Sequence, residues 1–128
     1  MTAYAMNHFT ILAEDVRQTC DFYRDLLGFT EGYRPDMGFP GAWLYTGETA
    51  VLHVVGRKTL PAQRAGVLDH MAFSARGLTG IVAKLKQRGV PYNLGRQVET
   101  STWQLFFHDP NGAKVELDFA PEEDGPAE

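Results

Sequence analysis

One cysteine, Cys20, in 128 residues is too few for an intramolecular disulfide, so packing and not cross-linking must hold this chain folded. Long apolar runs are missing as well. Charged residues and glycines interrupt every hydrophobic stretch short of the roughly 20 residues that cross a bilayer, and no charged segment leads into an unbroken apolar run at the amino terminus. Positive charge is in deficit: 12 Lys and Arg stand against 16 Asp and Glu, for a net charge of −4. The basic residues are scattered, which leaves no footprint for the counterion release that drives nucleic-acid binding. Together these absences predict a cytoplasmic protein with neither membrane nor nucleic acid as partner.

A globular composition remains, with 44% hydrophobic and 22% charged residues, far from that of a disordered chain. The length suits a single domain with a real core. Strand formers run from Asn7 to Ala13. The period then changes: Val16, Cys20, Tyr23, Leu26 and Leu27 recur at helical spacing, with Asp15 placed to cap the first turn and Gly28 to end the last. Strand-like runs follow at Thr30 to Arg34, Ala42 to Tyr45 and Ala50 to Val55, separated by turns rich in glycine and proline. The aperiodic stretch from Gly56 to Gly66 reads as an exposed joint.

Beyond the joint the order repeats. Asp69 to Ser74 reads as a strand, Leu78, Ile81, Val82 and Leu85 form a helical stripe ending at Gly89, and strands recur at Tyr92 to Leu94, Thr102 to Phe107 and Lys114 to Phe119. Asp109-Pro110-Asn111-Gly112 closes the last hairpin. The duplication can be counted: His8 and His70 are 62 positions apart, Gly28 and Gly89 are 61 apart, and His53 and Glu116 are 63 apart. The predicted fold is α+β, two βαβββ modules forming a curved mixed sheet. Within one domain over 1–128, module one spans 7–56 and module two 68–120, and the acidic, proline-containing segment 121–128 is expected to fray.

Two such sheets side by side leave an open trough, and strand alternation decides which side chains face it. His8 and His70 fall in the first strands of the two halves, His53 and Glu116 in the last. Three imidazoles and one carboxylate suit one divalent ion, zinc, nickel, iron, manganese or cobalt, with room left for water or substrate. Glu116 lies among Val115, Leu117 and Phe119, where an unpaired charge would be costly and a cation would relieve it.

Asn-His-Phe-Thr at 7–10, Asp-Phe-Tyr-Arg-Asp-Leu-Leu-Gly-Phe at 21–29, Leu-Asp-His-Met-Ala-Phe at 68–73 and Asp-Pro-Asn-Gly-Ala-Lys-Val-Glu-Leu at 109–117 carry a resemblance. With these landmarks the chain resembles the vicinal oxygen chelate superfamily of glyoxalases, bleomycin-resistance proteins and extradiol dioxygenases, from Asn7 to Phe119. The resemblance implies a homodimer whose subunits share or swap modules, and a metal bound by His8, His53, His70 and Glu116. Glyoxalase I-like members carry glutamate where His53 stands, so this chain departs from true lactoylglutathione chemistry. Dioxygenases and fosfomycin-modifying thiol transferases of the superfamily use two histidines and one glutamate, available here as His8, His70 and Glu116.

The same resemblance places Thr10, Trp43, Gln104 and Phe106 against the substrate, a small molecule that chelates the metal through adjacent oxygens. The implied reaction is an isomerase or lyase step through an enolate or oxyanion, with Glu116 or His53 moving the proton. The alternatives are extradiol cleavage of a catechol-like substrate and metal-free sequestration of a drug or metabolite, as in bleomycin-resistance proteins. Blander roles suit other residues: Trp103 and Phe107 as core, His108 as a rim residue, Arg57, Lys58 and Arg64 as a solvated loop, and Cys20 as an inert buried group.

Overall fold

The computed structural model describes residues 2–126, and these fall into two units divided between Ala62 and Gln63. The fold is α+β, and each unit is a βαβββ module with its own four-stranded mixed sheet. No helix among the described residues is long and apolar enough to cross a membrane.

Unit 1 runs β1 (Phe9–Ala13), α1 (Val16–Leu27), β2 (Thr30–Gly32), β3 (Gly41–Thr46) and β4 (Thr49–Gly56). Its sheet is ordered β1-β4-β3-β2, parallel between β1 and β4 and antiparallel elsewhere. Asp15 caps α1 by accepting from the Gln18 N–H at 3.0 Å, and Gly28 ends it at φ 75°, a left-handed conformation costly for residues with a Cβ. Cys20, Phe22, Tyr23 and Leu26 on α1 are buried, as are Ala42, Leu44, Leu52 and Val54 on the sheet. The burial of Cys20 pushes its thiol pKa up, which keeps it protonated and inert.

Strand β2 stops at Gly32, two residues before its predicted end at Arg34. Proline at 35 has no N–H to continue a ladder, and the Tyr33 carbonyl accepts instead from the Tyr45 hydroxyl at 2.6 Å. That early exit releases Arg34 from the sheet.

Unit 2 runs β5 (Met71–Ser74), α2 (Leu78–Arg88), β6 (Tyr92–Arg96), β7 (Trp103–His108) and β8 (Lys114–Phe119), with sheet order β5-β8-β7-β6. Leu78, Val82 and Leu85 of α2 are buried, together with Leu105, Phe107, Val115, Leu117 and Phe119 of the sheet. In the β7–β8 hairpin only Gly112 takes a positive φ, of 91°, while the Asp109 carboxylate accepts from the Asn111 and Ala113 N–H groups.

The segment after Phe119 is fastened where the sequence predicts fraying. Helix α2 starts at Gly77 with no local side-chain cap. The Glu123 carboxylate fills that role from the tail, accepting from Leu78 N–H at 2.8 Å and Gly77 N–H at 3.1 Å. The Glu123 carbonyl accepts from the Trp103 indole at 2.9 Å, and the Pro121 carbonyl accepts from Arg96 at 3.3 Å. An acidic segment meeting the positive end of a helix gains both hydrogen bonds and dipole attraction. Residues 127–128 of the predicted tail lie outside the described residues.

Candidate metal centre

In unit 1 the ladder sets Thr10 of β1 beside His53 of β4, and His53 beside Trp43 of β3. Partners in one row share a sheet face, so the three side chains stand together. His8 lies just ahead of β1, not within it as the sequence predicts, and two positions before Thr10. Free of the ladder, its ring stacks on His53 at 3.6 Å with a 10° interplanar angle, and His53 stacks on Trp43 at 4.0 Å and 14°. The Asn7 side-chain oxygen accepts from His8 Nδ1 at 2.6 Å. This fixes the ring proton on Nδ1 and leaves Nε2 with a free lone pair.

His53, in the middle of the stack, has a lowered pKa: burial is the main cause, and the His8 imidazole and Arg34 add to it, against a hydrogen bond to the Ala50 backbone. Its ring is therefore neutral at neutral pH. A cavity of about 450 Å³ opens beside this row, lined by His8, His53, Trp43, Arg34, Met37 and Phe39 among others. That volume suits a small organic ligand.

Unit 2 repeats the plan with different chemistry. Ala72 of β5 pairs with Glu116 of β8, and Glu116 with Phe106 of β7. His70 stands just ahead of β5, as His8 does ahead of β1. Its Nδ1 meets the Asp69 carboxylate at 2.8 Å and its Nε2 meets Glu116 Oε1 at 2.9 Å. Glu116 is only 7% exposed, and Gln104 donates to its other oxygen at 3.4 Å. Phe106 sets its ring edge-on to His70 at 5.7 Å.

The carboxylates around His70 are not equivalent. Asp69 is held below the usual carboxylate range by its bond to His70 and then by Lys114, 3.4 Å away. Asp118, paired with Gln104 in the ladder, is pushed up to about 6 by burial and by its hydrogen bond and repulsion with Glu116. Its Oδ1 is buried with no hydrogen-bond partner.

All eight site residues predicted from the sequence thus divide four and four. His8, Thr10, Trp43 and His53 gather in unit 1; His70, Gln104, Phe106 and Glu116 gather in unit 2. Among the described residues no group of three or more His, Cys, Asp or Glu side chains is arranged to hold a metal. Each unit by itself supplies a pair of predicted ligands. The donor chemistry nevertheless fits a divalent ion: an imidazole facing carboxylates on both nitrogens needs a proton on each, or a cation in place of the Nε2 proton. The near-parallel stack of His8 and His53 keeps their in-plane lone pairs in separate planes, so they do not meet at one point.

Sequence reasoning passed over Asn7, Asp69, Arg34 and Asp118. The first two were within reach, because each immediately precedes a predicted ligand and they share the same 62-residue offset. Asp118 lies two positions past Glu116, so strand parity alone puts it on the same face. His108 is exposed, as expected of a rim residue.

Residues 5–117 match the Glyoxalase/Bleomycin resistance protein/Dioxygenase superfamily. The chain belongs to that superfamily. It is 31% identical over 125 residues to "Glyoxylase I 4" of Arabidopsis thaliana, covering 88% of this chain and 69% of the relative. It is 28% identical over 117 residues to "Glutathione transferase FosA" of Serratia marcescens, covering 88% and 79%. Among solved structures, the fold matches a fosfomycin resistance protein, FosX, from Listeria monocytogenes complexed with manganese(II) and 1S,2S-dihydroxypropylphosphonic acid. There the TM-score is 0.72 at 15% identity, over 94% of this chain and 93% of that one.

Proposed function

We propose that this protein is a metal-dependent enzyme acting on a small substrate with adjacent oxygens, its divalent ion held by His8, His70 and Glu116. The carrying observation is the repeated histidine setting. Asn7 and Asp69 each bind the Nδ1 of the following histidine, so both imidazoles offer Nε2, the nitrogen that in unit 2 already faces the buried Glu116 carboxylate. His8 of unit 1 and the His70–Glu116 pair of unit 2, from one chain or from two copies in a homodimer, complete the set. Zinc, nickel, iron, manganese and cobalt all suit two imidazoles and a carboxylate. When bound, the ion supplies Lewis acidity toward the substrate oxygens.

The remaining groups have separate roles. His53, neutral and stacked, takes a proton from the substrate, and it becomes a fourth ligand only if its ring leaves the stack. Gln104 orients Glu116, Trp43 and Phe106 form aromatic walls, and the exposed Thr10 hydroxyl offers a hydrogen bond. This arrangement supports isomerase or lyase chemistry driven by proton movement.

The His8–His53 stack also favours a second reading. A set of two histidines and one glutamate suits group transfer to an epoxide or extradiol cleavage of a catechol, and turnover of a hemithioacetal, a catechol, or an epoxide with a thiol separates the three chemistries. Elemental analysis of protein purified without added metal tests the common premise. Near-stoichiometric metal in the wild type, falling below about a tenth in both His8→Ala and Glu116→Ala, is expected. A metal-free wild type overturns the enzyme reading in favour of a binding protein.

A further inference from the structure

Arg34 stands in the unit 1 cavity with His8, His53 and Trp43, and no carboxylate pairs with it among the described residues. Its only hydrogen bond among the described residues runs from Nη2 to the Phe39 carbonyl at 3.0 Å, so most of its five N–H donors are uncommitted there. The guanidinium is nonetheless held in place. It lies 5.0 Å from the centre of the Phe39 ring. It also packs against Gly41, where a Cβ would come within 2.8 Å of Nη2 and 3.1 Å of Cζ. A half-buried arginine that is fixed but unpaired keeps its charge for something else.

Unit 2 supplies the contrast. Arg96, 62 positions on from Arg34, lies 3.8 Å over the Trp103 ring and donates to the Ser101 and Pro121 carbonyls. That arginine is spent on fastening the fold. Arg34 has glycine beside it where Arg96 has an indole, and it lines a cavity.

We propose that Arg34 is a specificity-determining residue that binds an oxyanionic group of the substrate, so that the substrate carries a carboxylate or a phospho group on an apolar body. A guanidinium offers paired N–H groups that match such an oxyanion. Met37, Phe39 and Trp43 supply apolar surface in the same cavity for the rest of the molecule. The inference names the substrate class of the site proposed above and in that sense rests on it, but the anion contact itself requires no metal.

The test therefore uses chelator-treated, metal-free protein and follows the two tryptophan indole N–H resonances by NMR. Trp43 lines the cavity and Trp103 lies in the other unit, so the second resonance is an internal control. Phenylacetate is expected to shift the Trp43 resonance and to bind at least tenfold more tightly than phenylacetamide, its near-isosteric neutral counterpart. Arg34→Gln should abolish that preference while leaving phenylacetamide binding within about twofold, and Arg34→Lys should keep part of it. Phenylphosphonate in place of phenylacetate separates a phospho group from a carboxylate.

Equal binding of acid and amide by the wild type overturns the inference. So does an Arg34→Gln protein that keeps the preference while the dispersion of its spectrum shows it folded. Loss of the metal premise reads differently: wild type without metal in elemental analysis, but with Arg34-dependent phenylacetate binding, upholds the anion site and removes the metal centre.

Discussion

The two units present the same row of three side chains across the same three strands, yet one row is aromatic and neutral while the other is charged. In unit 1 Thr10, His53 and Trp43 share the row and a three-ring stack forms. In unit 2 Ala72, Glu116 and Phe106 share it, and His70 lies between two carboxylates with a third nearby. The backbone thus fixes where a side chain appears, and the residue at each place decides whether it serves as ligand, wall or base. A duplicated scaffold becomes asymmetric chemistry through a few substitutions on one face.

The sharpest way to separate the rows is to remove one middle residue from each. His53→Gln is expected to lower kcat by about 100-fold, the low end for losing a general base, while metal content stays near that of the wild type. Glu116→Gln should lose metal and activity together. Because His53 is shifted downward, its neutral form persists below the ordinary histidine value. The acid limb of the pH–rate profile should accordingly lie below about pH 6.5 and vanish in His53→Gln. Metal loss in His53→Gln would make the two rows alike.

The next comparison concerns the residues before the histidines. Asp69→Asn should weaken metal binding by roughly 10–100-fold, as expected for a carboxylate that holds a ligand imidazole. Asn7→Ala should weaken it less, since it removes a neutral partner. Competition with a chromogenic chelator measures both, and equal losses would show that charge at this position is immaterial.

A third contrast is between helix starts. Asp15→Ala removes a local cap from α1 and Glu123→Ala a distant one from α2. Each should cost about 1 kcal/mol in urea unfolding. Only Glu123→Ala should also disturb the Trp103 environment, because losing the carboxylate anchor loosens the segment whose backbone carbonyl at 123 accepts the indole N–H.

The smallest expected effect is at Asp118. Its carboxyl keeps a proton up to about 6 in the folded chain, against about 3.9 for an unstructured aspartate. The folded state binds that proton more tightly, so the contribution to stability is full below the unfolded value and is lost as pH rises to about 6. Asp118→Asn should stabilise metal-free protein at pH 7.5 by on the order of 1 kcal/mol, since solvent screens this half-exposed group. At pH 4 it should gain little. An equal gain at both pH values would assign the effect to packing.

Much of this was legible in the residues themselves. Both helices end at their predicted glycines, because a left-handed terminus favours a residue with no Cβ. The bounds of β8 coincide with the predicted run from Lys114 to Phe119. The family resemblance named Thr10, Trp43, Gln104 and Phe106, and the strand ladders put them on the sheet faces that carry His53 and Glu116. The starts of β1 and β5 were harder to read, since His8 and His70 have strand-like neighbours but leave the ladder by one residue, a usual margin at element ends. The Glu123 cap was not legible at all, because it joins positions 45 and 46 residues apart and only tertiary packing brings them together. Arg34 escaped for a related reason: the strand-like run from Thr30 takes it in, whereas the strand stops at Gly32 and only the glycine at 41 opens the space beside it.

The distant fastening of α2 also bears on the order in which the protein is made. On a ribosome, the first helix has its start and its stop as soon as Gly28 emerges. The second has its hydrophobic stripe complete at Leu85 but must wait until residue 123 for the group that closes its first turn. For most of that interval the second unit is a nascent chain with one end untied, and a translational pause there would lengthen its exposure to chaperones.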